Sequence, residues 1–227
     1  MSIPNPFPNQ SAIGTEDPVG LLVGIKRNFT TAICGPVATA DRFGRAGRAY
    51  LFDGVNDYLQ VGSEPLLTPP KFTVVVTFKL LKLPIGGEVV ATQQAGVYAH
   101  SENTLVAKKG TYIIQVAHEG GASYCYPKIY IGDWNTVHRG DQIQLNSYYQ
   151  FALSYTDGNL RLAINGALKF EAAKVPAPAS NTEFLVIGNR LSSPYPEFFN
   201  GIIDEVRLYD RPLTNEEVTR LYQAGPF

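Results

Sequence analysis

Residues 148–166 read Y-Y-Q-F-A-L-S-Y-T-D-G-N-L-R-L-A-I-N-G. Apolar and polar residues alternate on both sides of Asp157-Gly158, and Asn165-Gly166 closes the second run. Asp-Gly and Asn-Gly are strong short hairpin signals, because two-residue turns need positive φ and Gly accepts it at little steric cost. The stretch therefore predicts a meander of three antiparallel strands over 149–156, 160–164 and 167–171. Their side chains would alternate between a core face and an outer face.

The same period of two recurs at 49–52, 58–61, 72–80, 87–93, 104–107, 112–118, 184–187 and 201–209, with Gly, Pro, Asn and Asp at most of the joins. Many short strands with turn residues between them indicate an all-β sandwich of two packed antiparallel sheets. One helix is predicted near the end. Thr214 followed by Glu217 makes a capping box, Val218, Leu221 and Tyr222 share a face, and Gly225 supplies the C-cap. Pro176 and Pro178 keep residues 172–180 out of any central strand, since Pro lacks the ladder donor. Residues 1–18, rich in Pro, Asn and Ser, read as an extended arm before a single domain over 19–227.

Composition bounds the function. Among 227 residues, 44% are hydrophobic and 11% aromatic, enough to bury a sizeable core. The formal charge of -1, with Lys and Arg scattered, leaves no footprint for nucleic acid or an anionic membrane surface. No apolar run approaches the ~20 residues of a membrane span, and Met1 to Pro8 lacks the basic start and apolar segment of a secretory signal. Cys34 and Cys125 have no metal-ligand spacing; one disulfide and two buried thiols are both open readings.

Further landmarks follow in order. Asp41-Arg42-Phe43-Gly44 leads into Ala49-Tyr50-Leu51-Phe52-Asp53-Gly54-Val55-Asn56-Asp57-Tyr58, then comes the run 72–78, then the meander, then Phe199-Asn200-Gly201-Ile202-Ile203-Asp204-Glu205-Val206-Arg207-Leu208-Tyr209-Asp210-Arg211-Pro212-Leu213 with Glu216, Glu217, Val218, Leu221 and Tyr222. From Asp41 onward this order resembles the laminin-G-like domains of the concanavalin A-like lectin and glucanase superfamily. The resemblance implies a jelly-roll sandwich of two curved antiparallel sheets with one short C-terminal helix. Many relatives are glycan-binding or adhesive modules, yet one fold hosts many activities, so the site must be argued separately.

The glucanase branch presents its acids as Glu-x-Asp-x-x-Glu on one strand, which suits retaining chemistry with carboxyls about 5 Å apart. That pattern is absent from the sequence. Asp204 and Glu205 are adjacent and would point to opposite faces, whereas Glu205 and Arg207 would share one. Lyases of similar fold use a Gln-x-His strand; in Gln115-Val116-Ala117-His118 the spacing is off by one residue, which reverses the face. No catalytic residue is assigned.

Relatives commonly hold a structural calcium between a glycine carbonyl after the first core strand and an aspartate of the closing strand. The resemblance transfers these roles to Gly54 and Asp204, with a third oxygen from the chain before Gly24; Asp53 and Asp57 are secondary candidates. The other open reading gives Asp204 a backbone hydrogen-bonding role, and Asn56-Asp57 a place in the turn.

Sugar rings are held by aromatic faces together with hydrogen-bonding side chains. Two segments qualify, 124–139 and 190–199. Alternation puts Tyr124, Tyr126 and Tyr130 on a common face, read as core. Trp134 and Tyr195, among turn residues, are the expected exposed rings, with Asn135 and Arg190 as their polar neighbours. Arg139-Gly140-Asp141 spells an integrin-type tripeptide, which would need an exposed loop tip.

The sequence thus points to a non-catalytic binding module, with a glycan at a cell or virion surface as its partner and an extracellular setting. A structural or adhesive protein making contacts with a cell-surface protein is the alternative, and a polysaccharide-active enzyme the third reading. Neither the oligomeric state nor the sugar is specified.

Overall fold

The computed structural model describes residues 21–24, 31–33, 35–84, 89–91, 97–119, 121–191, 193 and 197–224. The arm over 1–18, Cys34, Tyr195 and Gly225 therefore lie outside the described residues, as do most of 87–93.

The strands, in chain order, are β1 (Leu21–Gly24), β2 (Thr31–Ile33), β3 (Val37–Thr39), β4 (Ala49–Asp53), β5 (Tyr58–Gln60), β6 (Phe72–Leu80), β7 (Val89–Ala91), β8 (Val97–Lys108) and β9 (Tyr112–Glu119). Then come β10 (Tyr124–Ile131), β11 (Trp134–Val137), β12 (Ile143–Gln144), β13 (Tyr148–Thr156), β14 (Asn159–Ile164), β15 (Ala167–Ala172), β16 (Leu185–Ile187), β17 (Asn200–Tyr209) and the helix α1 (Asn215–Gln223). They form two antiparallel sheets, one ordered β15-β14-β13-β6-β17-β4-β3 with β1 also on β17, the other β11-β10-β9-β8-β16-β5-β2 with β12 on β10 and β7 on β8. This is a jelly-roll sandwich.

The meander forms as its turn residues dictate. Thr156 pairs with Asn159 across Asp157 (φ 48) and Gly158 (φ 80), and Ile164 pairs with Ala167 across Asn165 (φ 52) and Gly166 (φ 78). Positive φ at both central residues is the type I′ geometry whose twist matches the flanking strands. Between the sheets, Phe52, Phe72, Phe78, Phe151, Phe199, Tyr112 and the aliphatic residues that alternate with polar ones form one core.

The register shifts in four strand pairs, β1–β17, β14–β15, β17–β6 and β8–β9, and the last two bear on the expected sites. In β17 the register shifts between Ile203 and Glu205, and Ile203 and Val206 both belong to the core. Asp204 and Glu205 therefore sit consecutively between inward residues instead of facing opposite sides, a correction to strict period-two reading. In β8, Leu105 is the extra residue between Thr104, which faces Gln115, and Val106, which faces Ile114.

The helix packs on the outer face of the first sheet, where Val218 and Leu221 meet Val75, Ala152, Ala163, Tyr209 and Leu213. Tyr222, expected on the buried face, is 41% exposed. The capping box is complete: Glu217 N–H donates to Thr214 Oγ1, and Thr214 N–H to Glu217 Oε2. Arg211 adds two hydrogen bonds to the same carboxylate, at 2.9 and 2.6 Å, and these lead in holding its pKa down at about 2. The folded value is depressed, so this stabilisation is full above the ordinary carboxylate range and is lost as pH falls through that range toward 2. Glu217→Gln is expected to cost about 2 kcal/mol at neutral pH, read as a shift in urea midpoint. The gap to the parent protein should close on acidification; a gap independent of pH would contradict this role.

Candidate functional site

The outer face of the second sheet carries a cluster of polar and aromatic side chains. On β10 the core takes Cys125, Ile129 and Ile131, leaving Tyr124, Tyr126, Lys128 and Tyr130 half-buried on the other side. Pro127 interrupts no ladder, because β12 pairs with Tyr124 and Cys125 while β11 begins its pairing at Lys128. These three tyrosines do share a face, but it is the outer one, a correction to their reading as core. Cys125 is enclosed in the core, where burial pushes its thiol up to about 12.

Registry across the sheet sets the neighbours. Lys128 lies opposite Gln115 of β9, which lies opposite Thr104 of β8, and Ala117 lies opposite Glu102. The bulge at Leu105 keeps Thr104 and Glu102 on this face although Val106 and Leu105 both enter the core. Lys128 Nζ pairs with Glu102 Oε1. Burial works against the Lys128 charge, but the Glu102 carboxylate and Tyr130 outweigh it and raise its pKa.

Phe199 N–H donates to the Gly188 carbonyl at 2.8 Å, which brings the flanks of residues 189–198 together beside the cluster. From this loop Glu197 reaches down: its Oε2 accepts from Thr104 Oγ1 at 2.9 Å and Gln115 Nε2 at 2.5 Å, and its Oε1 lies 3.9 Å from Arg190 Nη1. Burial raises the Glu197 pKa, against hydrogen bonds from Ser193 and Thr104 and the Arg190 charge. Arg190 lies over the Tyr130 ring at 5.0 Å, and Lys128 at 5.1 Å. Asn135 is exposed and opposite Tyr130 on β11.

At the other end, Tyr124 and Tyr126 meet edge to face, centroids 5.3 Å apart, with their hydroxyls 3.4 Å apart. Arg139 beside them makes a two-pronged contact with Glu119.

Of the residues expected to bind ligand, Arg190 and Asn135 come together around Tyr130. Trp134 does not. It lies opposite Ile131 and packs against the core, because β11 places alternate residues inward. Tyr195 lies outside the described residues. Lys128 and Glu197 fall within the segments 124–139 and 190–199 but were not named as site residues, and Glu102 and Gln115 were missed; the parity of β9 and β10 could have found Gln115 and Lys128, but the Leu105 bulge hides Glu102. The tripeptide 139–141 has both charges engaged within the fold, Arg139 with Glu119 and Asp141 with His138 and Lys169. His118 Nε2 lies 2.8 Å from the Ala122 carbonyl oxygen, on the strand position opposite in facing to Gln115.

The expected calcium ligands are not brought together. Asp53 pairs with Asn200 and Tyr50 with Ile203, so Asp204 lies roughly 13 Å along β17 from the Gly54 end at ~3.3 Å per residue. Asp53 caps its own turn, accepting from Val55 and Asn56 N–H, and Asp57 accepts from Asp53 N–H. Gly54 (φ +77) packs on Asn200, whose amide donates to the Asp53 carbonyl. Asp204 instead accepts from Arg42 N–H at 3.3 Å. Burial, with the charges of Asp204 and Asp41, pushes Tyr148 up to about 12. Among the described residues no three His, Cys, Asp or Glu side chains form a metal cluster. Gly54, Asp53 and Asp204 do not fit one calcium site.

Two packed antiparallel sheets with a capping C-terminal helix define the class of protein. A family profile described as the concanavalin A-like lectin/glucanases superfamily matches residues 53–219, and the chain belongs to that family. Domain 4 of AbnA, a GH43 extracellular arabinanase from Geobacillus stearothermophilus in complex with arabinotriose, is similar in fold at TM-score 0.57 and 20% identity, over 87% of this chain and 83% of that one. A Trypanosoma rangeli sialidase aligns at TM-score 0.59 and 16% identity, over 91% of this chain but 33% of its own. The botulinum neurotoxin serotype D binding domain aligns at 0.58 and 11%, over 90% and 51%. No curated protein matches the sequence. Among the described residues no helix is long and apolar enough to cross a membrane.

Proposed function

We propose that the protein is a non-catalytic carbohydrate-binding module whose ligand lies on the outer face of the second sheet. The observation that carries this reading is the half-exposed pair Tyr124 and Tyr126, continuous along β10 with Lys128, Tyr130 and the polar cluster of Glu102, Gln115 and Arg190. An aromatic face beside side chains that both donate and accept is the combination a sugar ring needs. Binding without catalysis is supported by the engagement of the carboxylates: Glu102 is paired with Lys128, and Glu197 is buried on Thr104 and Gln115. That domain 4 of the arabinanase holds arabinotriose in a related fold supports a glycan partner, and a cell- or virion-surface, extracellular setting follows from such a partner.

A glycan array probed with the wild-type chain and with Tyr124→Ala/Tyr126→Ala tests the reading. Specific hits are expected, weakened at least about tenfold in the double variant, the equivalent of about 1.4 kcal/mol, with the melting temperature little changed because both rings are half-exposed. Hits that survive the double substitution would move the site elsewhere. Depolymerisation of any bound glycan would overturn the non-catalytic reading.

A further inference from the structure

The charges of this face are internally balanced. Lys128 is paired with Glu102, Arg139 with Glu119, and Arg190 with Glu197 while also covering Tyr130. Among the described residues, Lys128 and Arg139 of this face touch a carboxylate directly and Arg190 lies 3.9 Å from one, and two of these acids, Glu102 and Glu197, are largely enclosed. At Lys128 or Arg190 an acidic sugar would need to draw the cation away and strand a carboxylate in a site shielded from water, which is costly. A neutral sugar has no such requirement. Its hydroxyls can donate to the lone pairs a paired carboxylate keeps and accept from the remaining N–H groups of Lys or Arg.

The rings add an axis. Tyr126 and Tyr130 stand on one side of one strand, roughly 13 Å apart at ~3.3 Å per residue, with Lys128 between them. Tyr130 already carries two cations over its ring, so the stacking face falls to Tyr124 and Tyr126.

We infer that the face takes an uncharged, linear oligosaccharide lying along β10, with one ring against Tyr124 and Tyr126 and later units over the Lys128–Glu102 pair, and that it discriminates against sialylated and uronic-acid glycans. This rests on the carbohydrate-binding reading above and specifies its ligand class.

The test is titration calorimetry of the full chain with neutral oligosaccharides (arabinan, xylan and glucan fragments) and with sialylated and uronate-containing ones, each at low and high salt. Neutral chains are expected to bind at least about tenfold tighter than acidic ones, to gain affinity with length, and to be nearly insensitive to salt. Glu102→Gln, which leaves the Lys128 charge unshared, is expected to gain affinity for the acidic panel in a salt-dependent way. Tightest binding of acidic glycans, weakening as salt rises, would overturn the inference while leaving a carbohydrate module. A Glu102→Gln protein with no such gain would overturn the charge-pairing account. Absence of binding to either panel would instead remove the carbohydrate reading itself.

Discussion

Phe78→Ala is expected to destabilise the protein by about 3–5 kcal/mol, more than any other single truncation considered. Phe78 is fully buried near the C-terminal end of β6, the strand between β13 and β17 in the first sheet. Its ring meets Phe151 edge to face at 4.9 Å and Phe199 at 6.1 Å, and stacks on Tyr149 at 6.1 Å. Truncation loses the transfer free energy of the ring and leaves a cavity lined by three other rings, which the flanking strands hold apart. Phe199 is also where the loop bearing Glu197 and Arg190 returns to the sheet, bonded to Gly188. A lower urea midpoint with an unchanged denaturant slope should result. A midpoint shift of under about 1 kcal/mol would mean that the site collapses freely and that this packing is not the core's anchor.

Gly201→Ala should be comparably damaging, at about 4 kcal/mol or more, through backbone conflict instead of lost packing. Gly201 sits at φ 157 on β17, and a Cβ there would lie 2.2 Å from the Lys79 carbonyl oxygen and 2.9 Å from the Phe199 ring. The first obstacle is main chain in the neighbouring central strand, where Gly201 pairs with Leu80 on one side and Phe52 on the other. No side-chain rotation relieves it; β17 must move away from β6. Expression of the variant with a melting temperature close to that of the parent would show that the strand pair yields easily, contrary to this view. Gly54, also at positive φ, is a milder case, because its nearest neighbour is the Asn200 side chain.

How far such sites were legible depended on whether period two held. The meander, with Asp157-Gly158 and Asn165-Gly166, appeared where the sequence put it, because turn chemistry and alternation are local properties. The Thr214–Glu217 capping box formed for the same reason. β10 was harder: the density of rings marked 124–139 as a ligand segment, and alternation correctly placed the tyrosines together but assigned their face to the core. Only the partner strands show which side is core. Trp134 erred in the opposite direction, since neighbouring turn residues suggested exposure while its register with Ile131 turned it inward.

The all-β class, the hairpin turns, the capped helix and membership of a lectin and glucanase superfamily could be read from the residues alone. The turns and the cap are encoded by residues within a few positions of one another, and the class and family by the order in which such local patterns recur along the chain. Tertiary structure alone decided that Glu102, Lys128, Gln115, Arg190 and Glu197 meet on one face, and that Gly54 and Asp204 do not. Those outcomes depend on strand register and on bulges at Leu105 and Asp204, where one extra residue changes the facing of every side chain beyond it.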